Sequence, residues 1–195
     1  MFVYCNNNPV NNADSNGHMC VATSIEQKYK FVDVIIYYHH PDSKKNMDDF
    51  AFSQVYSDHA FFVPVESFED LVSAFEKMPK NTRFVYLYLH GEPDDLAFYQ
   101  VTISGEEIVA ELPETSINGF IYLFVCHGLT VADEISAATK CRVVATNEGV
   151  SFSGGRARVS PWDLLKDSIK FDPIFWHITY PNGNSELYSA SIFCW

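Results

Sequence analysis

Four stretches of the chain run apolar without alternating: FVDVIIYYHH from Phe31, RFVYLYLHG from Arg83, GFIYLFVCHG from Gly119 and RVVAT from Arg142. A strand with one wet face alternates apolar and polar residues, whereas an unbroken run reads as a central strand covered on both faces. Between these runs the period changes. SFEDLVSAFEKM places Phe68, Leu71, Val72 and Phe75 on one helical face behind Ser67 as a cap. LTVADEISAAT does the same with Val131, Ile135 and Ala138, with Asp133 and Glu134 assigned to its first turn. Strands alternating with helices predict an α/β fold, a three-layer α/β/α sandwich with a mainly parallel central sheet and helices on both faces.

The remaining segments fill in this plan. NNNPVNNADSNG makes residues 1–20 a loop or mobile arm, and PDSKKNMDD reads as a solvated turn. FAFSQV and AFFVPV add strands. AFYQVTIS followed by Gly105, Glu106 and EIVAEL predicts a hairpin, or a strand leading into a short helix, lying over one end of the sheet. Trp162 after Pro161 opens a helix, and FWHITY and ELYSASIFCW, separated by PNGN, form a terminal hairpin with Trp176 and Trp195 at its ends.

The 195 residues, 47% of them hydrophobic, fit one domain over 1–195 with a sizeable core. A net charge of −12 with 13 scattered basic residues argues against a nucleic-acid partner, which needs clustered Lys and Arg. No run is long enough for a membrane span, and the amino terminus lacks the order of a signal peptide, so no membrane partner is expected and the chain reads as soluble. Five cysteines, at 5, 20, 126, 141 and 194, show no zinc spacing and no disulfide framework. No metal or cofactor is expected, and the compartment is a reducing one, the cytoplasm. A single Cys5–Cys20 bridge stays open as an alternative.

Two of the apolar runs end in reactive side chains followed by glycine: His90 before Gly91, and Cys126 before His127 and Gly128. In open α/β sheets the ligand crevice lies beyond the carboxyl ends of the strands, so neighbouring parallel strands would present His90 and Cys126 side by side. A thiol needs a base or a lowered pKa to become a nucleophile, and His90 is the candidate base. A helix amino terminus just after Cys126 favours a thiolate and an oxyanion. Gly91, without a side chain, allows close approach of a backbone N–H. Taken alone, a cysteine ending an apolar strand is usually a small core residue; the paired histidine is what changes that reading. His127, next to Cys126 in the strand, points to the other face. His18, His39, His40, His59 and His177 are read as surface or structural.

LYLHG, followed after a hairpin by IYLFVCHG, resembles the caspase-like cysteine peptidases, the grouping of caspases, gingipains, clostripain, CHAT domains and toxin autoprocessing domains. The histidine precedes the cysteine, the reverse of the papain order. The resemblance covers about Phe84 to Gly155; Phe124 and Val125 stand where caspases carry Gln-Ala, and no third, orienting acid matches. It implies a cysteine endopeptidase working by a His90–Cys126 dyad, with the N–H groups of Gly91 and Cys126 as oxyanion hole. It also implies that the loop from Asn147 to Val159 helps form the substrate pocket, where Glu148, Arg156 and Arg158 are the candidates. The substrate would be a protein or peptide. A bacterial effector, a toxin domain or a stand-alone regulatory protease fits such a chain, and a delivered effector would act in the target cell's cytoplasm. The alternatives are a catalytically inactive caspase-like binding module and a Cys-His acyltransferase or amidase.

Overall fold

The computed structural model describes residues 13–14, 20–21, 30–40, 60–146 and 176–187. In chain order its elements are β1 (Ala13–Asp14), β2 (Cys20–Val21), β3 (Val32–Tyr38), β4 (Ala60–Val65), α1 (Phe68–Glu76), β5 (Thr82–Tyr88), β6 (His90–Glu92), β7 (Asp95–Phe98), β8 (Val101–Ser104), α2 (Gly105–Glu111), β9 (Phe120–Phe124), α3 (Gly128–Thr139), β10 (Arg142–Thr146), β11 (Trp176–Thr179) and β12 (Ser185–Leu187). The four apolar runs become β3, β5, β9 and β10, and AFFVPV becomes β4. FAFSQV, the helix after Pro161, and Trp195 lie outside the described residues, as do most of residues 1–20 apart from the short β1–β2 pairing.

Seven strands form one mixed sheet in the order β12-β11-β10-β9-β5-β3-β4. The five strands β4, β3, β5, β9 and β10 are mutually parallel, while β11 returns antiparallel to β10 and β12 antiparallel to β11. The chain goes from β3 outward to β4, then crosses back to β5 on the other side of β3. The strand order therefore reverses at β3 and β5, the place where α/β sheets open a crevice at their carboxyl edge.

Alternate residues of each central strand enter two cores. Val34 and Ile36 of β3, Leu87 of β5 and Leu123 of β9 share one core with Leu71 of α1, Ile108 of α2 and Ile135 of α3. Ile35, Tyr37, Tyr88, Phe124 and Trp176 form the other. All seven residues of β3 are buried, so its run, apolar but for Asp33, reflects a strand with two covered faces. The buried hydrophobic residues of all three described helices belong to the first core, so among the described residues the helices sit on one face; the expected second helical layer lies outside them. The second face is aromatic. In-register parallel pairing stacks Tyr86 on Tyr122 at 5.2 Å and Tyr88 on Phe124 at 4.7 Å, and Trp176 meets Phe124 edge-on at 5.5 Å. Trp176, at the end of the hairpin as expected, packs into this core. Such ring pairs contribute about 0.5–1.5 kcal/mol each beyond their burial.

The helix α1 starts where its sequence predicts. Ser67 accepts a hydrogen bond from the Asp70 N–H, and the Asp70 carboxylate accepts one from the Ser67 N–H. Ser104 and Glu107 repeat this capping box at α2. Isolated helices of nine and twelve residues are marginal in water, so the buried face of each supplies its stability.

Candidate active site

The separation of His90 from Cys126 is the pairing register itself. Tyr88 of β5 pairs with Phe124 of β9, 36 positions on, and the same 36 positions separate His90 from Cys126. Ladder pairing ends at Tyr88 and Phe124, and two residues further along both chains leave the sheet at the same level. From β5 the chain passes through Leu89 into β6, where His90 pairs with Ala97 and Gly91 with Leu96. The predicted hairpin over the sheet end is therefore a three-stranded antiparallel sheet, β6-β7-β8, of which His90 is the first residue.

From β9 the chain turns through Val125, Cys126, His127 and Gly128, closed by the Gly128 N–H donating to the Val125 carbonyl at 3.2 Å. His127 occupies the left-handed region, φ 56° and ψ 28°, and gives α3 no side-chain cap. Cys126 is half-buried at the centre of this turn. It lies ahead of α3 as expected, but the first turn of that helix carries no acid. The helix starts at Gly128, so Asp133 and Glu134 fall one turn later than the sequence reading assigned them. The first turn thus carries no acid to offset the positive end of a helix that begins two residues after Cys126.

Gly91 fixes the approach of the two segments. A Cβ built on it would stand 2.3 Å from the Cys126 carbonyl oxygen and 2.3 Å from Val125 Cγ1. The glycine is thus required by backbone-to-backbone contact between β6 and the Cys126 turn, a role beyond the approach to a substrate that the sequence suggested.

His90 stands edge-on to Tyr38, with ring centroids 5.4 Å apart. Its imidazole is open to solvent on one side and packed on the other. Burial, and secondarily the charge of His40, lower its pKa from the ordinary histidine value, which favours the neutral, proton-accepting form at neutral pH. The open side keeps this effect modest. Cys141 offers a contrast. It is buried, its Sγ donates to the Thr115 and Thr139 carbonyls at 3.5 and 3.4 Å, and burial raises its thiol pKa. It is an inert structural thiol.

His40 is the residue that sequence reasoning missed. It was read as surface or structural, but it stands two positions past Tyr38 beside the switch point, edge-on to Tyr38 at 5.9 Å and to Tyr99 of the β7–β8 turn at 5.2 Å. The available signal was its position at the carboxyl end of the first core run. The structure thus brings His90, Gly91 and Cys126 together with His40, Tyr38 and Tyr99 at the carboxyl edge. His127 is exposed, and His177 lies in β11, far along the sheet order from β5. Glu148, Arg156 and Arg158, like His18 and His59, lie outside the described residues. Among the described residues no group of three or more His, Cys, Asp or Glu could hold a metal ion, and no helix is long and apolar enough to cross a membrane.

No protein-family model matches the sequence, and no curated protein matches it.

Proposed function

We propose that the chain is a cysteine endopeptidase with a three-layer, caspase-like fold. The observation that carries this reading is that the adjacent parallel strands β5 and β9 end in register at Tyr88 and Phe124, two residues before His90 and Cys126, with Gly91 packed against the Cys126 carbonyl. Neutral His90 takes the proton from Cys126 Sγ, and the thiolate attacks the scissile carbonyl carbon. The C=O electron pair moves to oxygen, where the N–H groups of Gly91 and Cys126 stabilise the charge. As the tetrahedral intermediate collapses, the C–N bond breaks and His90 returns the proton to the leaving amine. His90 then deprotonates a water molecule, which attacks the acyl-enzyme thioester and releases the acid with the thiol restored. The dyad needs a free thiol, which fits a reducing compartment such as the cytoplasm. The substrate is a protein or peptide.

The test is incubation of the full chain with an unfolded protein substrate, followed by mass spectrometry of the new termini. Wild type should produce discrete cuts; Cys126→Ala should produce none, and His90→Ala should cut on the order of 10²-fold to 10⁴-fold more slowly. Equal products from wild type and Cys126→Ala would exclude this function. Substrate joined rather than cut would show that the acyl group passes to an amine instead of water.

A further inference from the structure

Two imidazoles share one aromatic shelf at the switch point of the sheet. His90 and His40 both stand edge-on to the Tyr38 ring, at 5.4 and 5.9 Å with interplanar angles of 75° and 86°. Tyr38 is a rigid support. It is 2% exposed and Phe98 meets it at 5.9 Å. Its hydroxyl, turned toward the Tyr99 backbone, makes no hydrogen bond of normal geometry. Tyr99 closes the other side of His40 at 5.2 Å. Both imidazoles thus rest on one ring, and the charge of His40 reaches His90.

We infer that His40 is a positioning residue that holds His90 on the Tyr38 shelf as a neutral base. The inference deepens the peptidase reading and rests on it for the meaning of that base. The elements packed around His90 carry several ionisable groups: Tyr38, His39 and His40 from the end of β3, Glu66 after β4, Cys126 and His127 from the turn after β9, Tyr99 from the β7–β8 turn, and Glu92, Asp94 and Asp95 in its own hairpin. Of these, His40 alone among the described residues acts on His90 by its charge, after burial, and in the same direction. The Tyr38 phenol stays neutral because burial raises its pKa. A protonated His40 therefore works against a preformed thiolate–imidazolium pair and toward proton abstraction in the attack step.

The test is an NMR titration of the histidine rings in the full chain for wild type, His40→Gln and His40→Lys. The glutamine is uncharged and of similar reach, so the protonated fraction of His90 near pH 6 should rise roughly two- to five-fold. The lysine keeps a permanent charge, so that fraction should fall below wild type. Opposite shifts from two substitutions at one partly exposed position would not come from a purely structural role. An identical His90 titration in both variants would overturn the inference. Iodoacetamide labelling of Cys126 in wild type and His90→Ala keeps the two ideas apart. Unchanged titration with His90-dependent labelling removes the role of His40 alone. Opposite shifts without His90-dependent labelling support the coupling and remove the peptidase reading.

Discussion

His127 holds a left-handed backbone, φ 56° and ψ 28°, in the turn that carries Cys126. Histidine tolerates that region better than most residues, while a β-branched residue there is strained. His127→Gly should leave stability within about 1 kcal/mol of wild type, and His127→Val should cost roughly 1–3 kcal/mol. Urea denaturation decides it, and equal midpoints for the two variants would show that the turn relaxes. Gly91→Ala meets a harder obstacle, because its new methyl would press on the Cys126 backbone oxygen as well as on Val125 Cγ1. It should lower stability by about 1–3 kcal/mol and slow alkylation of Cys126 by moving β6 off the turn. Wild-type alkylation in that variant would mean the contact does not shape the site. His90, Gly91 and Cys126 were legible in the sequence because each sits at the end of an apolar run. His40 was not, since its link to His90 runs through Tyr38 and depends on β3 lying beside β5, which no local pattern records.

At the scale of elements, α3 touches the helix that follows the small sheet. The Glu134 side chain lies against Gly105, the first residue of α2, so closely that a Cβ there would stand 2.7 Å from its Cγ. Its Oε2 is buried without a hydrogen-bond partner. Burial first, and then repulsion from Asp133 and Asp94, raise its pKa above the ordinary glutamate value. A carboxyl raised in the folded state gives stability that is present in full below its unfolded pKa and lost as pH rises through its folded pKa. Glu134→Gln should therefore raise the urea midpoint at about pH 7.5 and change it little at about pH 4. An equal effect at both values would show that the carboxyl titrates normally. A second element-scale prediction concerns α1: Ser67→Ala removes its cap and should cost about 1 kcal/mol, read by thermal unfolding, and an unchanged Tm would show the box to be idle. The strands and α1 were legible from period and capping. β6 was not, because its three residues, His90 to Glu92, contain a glycine and two polar side chains and owe their extended form to pairing with β7.

For the whole molecule, an ion pair and the proposed site sit at opposite edges of the sheet. At the amino edge Arg83 donates from Nε and Nη2 to the Asp33 carboxylate at 3.1 and 2.9 Å, and its guanidinium lies over Phe84 at 4.7 Å. Phe84 stacks near Phe120, which carries Arg142 at 4.1 Å. Arg83→Ala would leave the mostly buried Asp33 without its counter-charge. About 1–2 kcal/mol of stability should be lost, after discounting for the exposed guanidinium, while Cys126 alkylation stays at the wild-type rate. A parallel fall in alkylation would mean that the two edges are coupled. The parallel α/β character was legible from the unbroken runs, and the neighbouring of β5 and β9 was anticipated from the reactive run ends. The full strand order was not, because pairing partners and the reversal at β3 are set by long-range packing. The central claim, that His90 activates Cys126, is tested most directly by iodoacetamide labelling of the folded chain near neutral pH, read cysteine by cysteine in wild type and His90→Ala. The account predicts that Cys126 labels far faster than buried Cys141 and loses that advantage without His90. Equal labelling of Cys126 in the two proteins would contradict it.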